Sequence, residues 1–125
     1  MKRLLPFVIL PALIGLAACE SGPSGPGTIT AFASGPSVGG VVLEVQGAGI
    51  QGFTARGSSR VYSAAVAGRE GTHRVIVITP DPGEMAMDIA VDDLGMEGPT
   101  IRVVSAANGD NVAIARSNVT VRTER

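Results

Sequence analysis

Cysteine occurs once in these 125 residues, at Cys19, and tryptophan is absent. A lone thiol cannot close an intrachain disulfide, so the fold has to be held by an apolar core. Aromatic side chains are scarce: Phe7, Phe32, Phe53 and Tyr62 are the whole set. That scarcity removes the stacking platforms that single-stranded nucleic acids use, and most of the flat rings that carbohydrate surfaces rely on. Lysine appears only at Lys2, and His73 is the single histidine. After residue 18 there remain eight arginines against eleven acids, a net charge of −3. Phosphate backbones call for a basic patch, so nucleic acid is excluded as an expected partner.

A long hydrophobic run is also lacking. The N-terminal apolar segment, Leu4 to Leu16, holds thirteen residues without charge behind Lys2 and Arg3 and is interrupted by Pro6, Pro11 and Gly15. A membrane-crossing helix needs about 20 apolar residues. Two cations, a short apolar segment and the small residues Ala17 and Ala18 have the layout of a secretory signal. The expectation is a signal helix over residues 1–18, with cleavage between Ala18 and Cys19. A free thiol in an oxidising compartment is a liability that acylation removes.

Leu16-Ala17-Ala18-Cys19 resembles the lipobox of bacterial lipoproteins, and the resemblance covers residues 1–19. It implies that Cys19 receives a diacylglyceryl group and further acyl chains such as palmitate, and becomes the first residue after processing. In that family an aspartate directly after the cysteine commonly marks inner-membrane retention. Glu20 stands there instead, so the implied address is the outer membrane of the cell envelope. The alternative is an ordinary signal peptide cut near Ala18, leaving Cys19 free.

Residues 19–27 read as the lipidated cysteine and a Gly/Ser/Pro tether with nothing apolar to bury. Eight extended residues reach roughly 25 Å, enough to hold a domain clear of lipid headgroups. From residue 28 to residue 125 short apolar runs alternate with turn signals, and no 3.6-residue stripe appears. Ile29, Ala31 and Ala33 share one face. Val41, Leu43 and Val45 share another, with Glu44 and Gln46 pointing away. Val75-Ile76-Val77-Ile78 is continuous enough to predict a central strand covered on both faces. Met85, Met87, Ile89 and Val91 alternate cleanly, which makes the two methionines core filling rather than metal ligands. Asn108-Gly109 is the strongest two-residue hairpin signal, and a parity shift between Ile114 and Val119 predicts a bulge or break near Arg116 to Asn118.

Seven or eight short strands of this spacing predict an all-β domain, an antiparallel β-sandwich of immunoglobulin-like or cohesin-like kind, with a small β-barrel as the alternative. Gly40-Val41-Val42-Leu43-Glu44-Val45, Arg60-Val61-Tyr62, Arg74-Val75-Ile76-Val77-Ile78 and Gly83-Glu84-Met85-Ala86-Met87 fall in an order that loosely resembles cohesin-like sandwiches over most of residues 38–107. The chain is shorter than typical cohesins and carries no dockerin, so their scaffold-assembly role does not carry over.

Two motifs match in letters and conflict with their surroundings. Gly47-Ala48-Gly49-Ile50-Gln51-Gly52 spells the dinucleotide fingerprint, but no helix follows to receive a pyrophosphate. Gly35-Pro36-Ser37-Val38-Gly39 spells the hydrolase nucleophile elbow, again without its helix, and His73 lacks the usual acid-then-histidine order. His73 beside Arg74 reads as a strand-end residue rather than a catalytic base. No catalytic residue and no cofactor is expected. Asp92, Asp93 and Glu97 share one loop and are the candidates for a calcium site, although they miss the D-x-[DN]-x-[DN]-G spacing. The expected function is a lipid-anchored, non-enzymatic interaction or structural module of the bacterial envelope. Its expected partners are the membrane, through the anchor, and an envelope protein. A small-ligand or calcium-binding lipoprotein is the alternative.

Overall fold

Period-two alternation of apolar residues becomes nine strands in the computed structural model, which describes residue 22 and residues 24–125. They are β1 (Gly27–Ser34), β2 (Val38–Gln46), β3 (Ile50–Arg56), β4 (Arg60–Ala65), β5 (Thr72–Ile78), β6 (Met85–Val91), β7 (Thr100–Asn108), β8 (Ala113–Ile114) and β9 (Thr120–Glu124). The signal segment, Ala18 and Cys19 lie outside the described residues. Every pairing is antiparallel, and the strands form two separate sheets, in the orders β3-β6-β1-β9 and β4-β5-β2-β7-β8. The two are not joined into a closed cylinder, so the architecture is the sandwich and not the barrel.

The inner faces follow the predicted parity. In the four-stranded sheet Ala31 and Ala33 pair with Met87 and Met85, while Ile29 pairs with Ile89. On the two alanine rows a small residue beside a long flexible one keeps that face level enough for the other sheet to approach. Opposite lie Val41, Leu43 and Val45 of β2 with Val75 and Val77 of β5, all buried. The core therefore contains branched aliphatics, alanine and two methionines, which explains how it closes with so few aromatic rings.

Three expectations change in the structure. Val75-Ile76-Val77-Ile78 does not lie at the centre of its sheet with both faces covered. Ile76 and Ile78 point outward and are 39% and 44% exposed. The Asn108-Gly109 pair does not close a two-residue hairpin. Asn108 N–H donates to the Val112 carbonyl at 2.9 Å, its side-chain oxygen accepts from Asp110 and Val112, and the positive φ of 63° falls on Asn111. An Asn side chain that holds the turn in this way favours a wider loop. The strand count is nine rather than seven or eight, because the last segment splits into β8 and β9. The break at Arg116–Asn118 is a 3-10 turn, and it carries the chain from the five-stranded sheet to the four-stranded one.

Corner hydrogen bonds fix which end of the sandwich is which. Gly47 N–H donates to Gly71 and Asp92 N–H donates to Gly49, tying the end of β2 to the starts of β3 and β5 and to the end of β6. Gly27 opens β1 opposite Val91. The residues before β1 therefore enter the sandwich at the end where β2 finishes.

Candidate interaction face

Antiparallel register places the outward side chains of the five-stranded sheet in three rows across β4, β5, β2 and β7. The first row is Arg60, Ile78, Gly40 and Ala107, the second Tyr62, Ile76, Val42 and Ser105, and the third Ala64, Arg74, Glu44 and Arg102. Two rows are largely apolar and the third is ionic. Tyr62 is 54% exposed, so together with Ile76 and Ile78 it forms a contiguous apolar patch on a solvent-facing sheet.

The ionic row is built on a carboxylate that sits only 6% exposed within an apolar strand. Arg69, from the loop between β4 and β5, donates two hydrogen bonds to Glu44, at 3.0 Å to Oε1 and 3.1 Å to Oε2. Arg102 and Arg74 approach Oε2 at 3.2 Å and 3.5 Å from the flanking strands. A buried carboxylate needs such partners, because its desolvation is otherwise unmet. The Arg69 hydrogen bonds lead. With the hydrogen bond and charge of Arg102 they outweigh burial and hold the Glu44 carboxyl at about 2, against an ordinary 4.5.

A lowered carboxyl pKa means that the stabilisation is complete above the unfolded value and fades as pH falls toward the folded one. Thermal melts should therefore show the wild type losing Tm between pH 4.5 and pH 2 more steeply than Glu44→Gln, which has no proton to take up there. Parallel slopes for the two proteins would remove Glu44 from the acid transition.

The opposite outer face is different in kind. On the four-stranded sheet Thr30 donates to Asp88 at 2.8 Å, and Arg56 reaches both Thr30 and Asp88. Arg122 lies 4.0 Å above the Phe32 ring and pairs with Glu84 and Glu124. Polar side chains and one capped ring make it an ordinary solvated surface.

The residues singled out from sequence lie outside the three rows of this face, and Ser37 and His73 are apart from each other. Ser37 sits in the turn Gly35-Pro36-Ser37-Val38, where Val38 N–H donates to the Gly35 carbonyl at 3.4 Å. Its φ of 62° is the positive value that a type II turn requires at this position. His73 pairs with Val45, near the other end of β2. Eight residues of extended chain separate the two by roughly 26 Å, so no serine–histidine pair forms. His73 is a strand-end residue, but it points inward and packs edge-on against Phe53 at 5.3 Å. Gly49, inside the fingerprint-like run, has φ 72°, and a β-carbon there would fall 2.0 Å from an Asp92 carboxylate oxygen. The glycine serves a tight turn into β3, and no helix follows it.

Asp93 accepts from the backbone N–H groups of Gly95 and Gly25, at 2.8 and 2.9 Å. Those two bonds, Gly95 first, lower its pKa. Its carboxylate latches Gly25, just ahead of β1, to the loop. Asp92 lies against Gly49, and Glu97 is exposed. Among the described residues, no three His, Cys, Asp or Glu side chains gather into a metal-holding group.

Sequence reasoning missed the Glu44 cluster. One signal was available: a single acid inside an apolar strand has to be paired if its neighbours are buried. The identity of its partners depends on register and on a loop fold that spacing does not encode. Comparison of the chain with known families, curated proteins and solved structures finds no match.

Proposed function

We propose that the chain is a lipid-anchored protein of the bacterial cell envelope whose β-sandwich is a non-enzymatic interaction module. The observation that carries the reading is the unequal clothing of the two outer faces, with Tyr62, Ile76 and Ile78 exposed together on one sheet and paired polar groups on the other. Exposed apolar side chains in one contiguous patch mark contact surfaces more often than scattered ones do. The lipobox-like Leu16-Ala17-Ala18-Cys19 and the short tether support the envelope address, and Glu20 favours the outer membrane. The separation of Ser37 from His73 supports a role other than hydrolysis.

Site-specific photocrosslinkers at Tyr62 and at Thr28 in the native envelope test this reading. Tyr62 should give a discrete adduct and Thr28 none, and Ile76→Glu should reduce the Tyr62 adduct by about tenfold through burial of an unpaired charge at the contact. Equal labelling from both faces, or an adduct indifferent to Ile76→Glu, would count against the five-stranded sheet as the contact surface.

A further inference from the structure

Along β2 the outer face changes from a trough to a cationic step. Gly40 contributes no side chain, and Ala107 and Ala113 are short, so they form a floor between Ile76 and Ile78 on one side and Asn111 on the other. The trough is open to solvent and its volume is about 370 Å³, near the lower end of the range for small-ligand sites. Val42 continues the floor. Four residues beyond Gly40, and therefore roughly 13 Å along the strand, stands Glu44 with its arginines.

The charges at that end do not cancel. Arg69, Arg74 and Arg102 converge on one carboxylate, and each guanidinium-bearing side chain remains about half exposed. Glu70, next to Arg69 in the loop, is the nearest other acid in sequence, and Asp110 lies in the turn between β7 and β8, beyond the opposite end of the trough. The face therefore has a largely apolar end, with the single cation Arg60 at its β4 margin, and an end where three arginines converge, in a chain that is otherwise net negative.

Backbone accounting selects the kind of molecule that fits. β2 is paired on one side with β5 and on the other with β7, so the floor has no free ladder of N–H and C=O groups. An extended peptide lying there would bury its own amides without partners. A hydrocarbon tail has none to bury. Arginine forks in turn match the geometry of a carboxylate.

We propose that the outer face of the five-stranded sheet binds a single-chain fatty carboxylate, with its tail along β2 over Gly40 and Val42 and its carboxylate on Arg74 and Arg102. The proposal rests on the reading of this face as the contact surface. It adds the chemistry of the occupant. Glu44 is a positioning residue here, since it holds the three guanidinium groups together without meeting the ligand's tail.

The full chain in phosphatidylcholine nanodiscs, exposed to dodecanoate carrying a tail diazirine, provides the test by mass-spectrometric mapping. Adducts are expected on residues 40–42 and 76–78 and should be displaced by unlabelled dodecanoate. Gly40→Leu fills the trough and should suppress them by about tenfold. A β-carbon at Gly40 meets only the Val77 carbonyl oxygen, at 3.7 Å, so the position accepts a side chain. Arg74→Gln with Arg102→Gln should also lower the yield by about tenfold while leaving labelling by the matching dodecanol probe unchanged. Labelling spread evenly over both sheets, indifference to Gly40→Leu, or equal labelling of the wild type by dodecanol and dodecanoate would overturn the proposal. A protein adduct at Tyr62 without fatty-acid labelling would overturn it too, and would leave the contact-face reading standing.

Discussion

Leu43→Ala is expected to lower the unfolding free energy by about 2–5 kcal/mol, and with it Tm by at least about 10 °C for a domain of this size. Leu43 is 1% exposed and pairs in register with Val75 and Val103. It borders the same narrow inter-sheet space as Ala31, Ala33, Met85 and Met87. Truncation removes its burial and leaves a void. The two methionines, with three rotatable bonds each, can turn into part of that void, so the loss should fall toward the lower half of the range. Ile76→Ala on the neighbouring strand is the control. Its side chain points to solvent, and its replacement should shift stability by no more than about 0.5 kcal/mol. Urea melts of both variants decide the matter. A loss below about 1 kcal/mol for Leu43→Ala, or equal losses for the two, would contradict the inward and outward assignment of β2 and β5.

Cys19→Ser should move the protein out of the membrane fraction altogether, or leave it as unprocessed precursor. Each buried methylene contributes roughly 0.8 kcal/mol, so two or three acyl chains hold a small domain where a single chain would let it go. Serine cannot form the thioether to which the diacylglyceryl group would attach. Intact mass and membrane partitioning are the readouts. An unchanged mass and an unchanged membrane fraction in the variant would remove Cys19 as the attachment point. The domain itself should melt as the wild type does, because β1 begins only at Gly27 and the core lies wholly beyond it.

Much of the sandwich could be read from residue order because a strand with one buried face announces itself. Ile29-Ala31-Ala33, Val41-Leu43-Val45 and Met85-Met87-Ile89-Val91 all keep their predicted sides. Side chains alternate with period two, and a one-residue slip would expose each entire set. The reading of Val75 to Ile78 shows where this logic stops. A continuous apolar run looks the same whether its second face meets a layer of protein or meets solvent, and only the missing layer over β5 decides between them. The candidate contact face was hidden for that reason. Asn108-Gly109 shows a second limit, since a side chain that hydrogen-bonds two backbone N–H groups reshapes a turn whose letters favour a shorter one.

Residue order alone determined the all-β class, the parity of the strands, the break before the last strand and the lipobox-like placement of Cys19. These depend on neighbours in sequence, through alternation, turn chemistry and spacing. The tertiary structure alone decided that Glu44 stands among Arg69, Arg74 and Arg102, and that Gly40 opens a trough beside Ile76 and Ile78. Those groupings depend on strand register and on a loop folded back over the sheet. They join residues 58 positions apart in Glu44 and Arg102 and 67 apart in Gly40 and Ala107, separations that no local pattern spans.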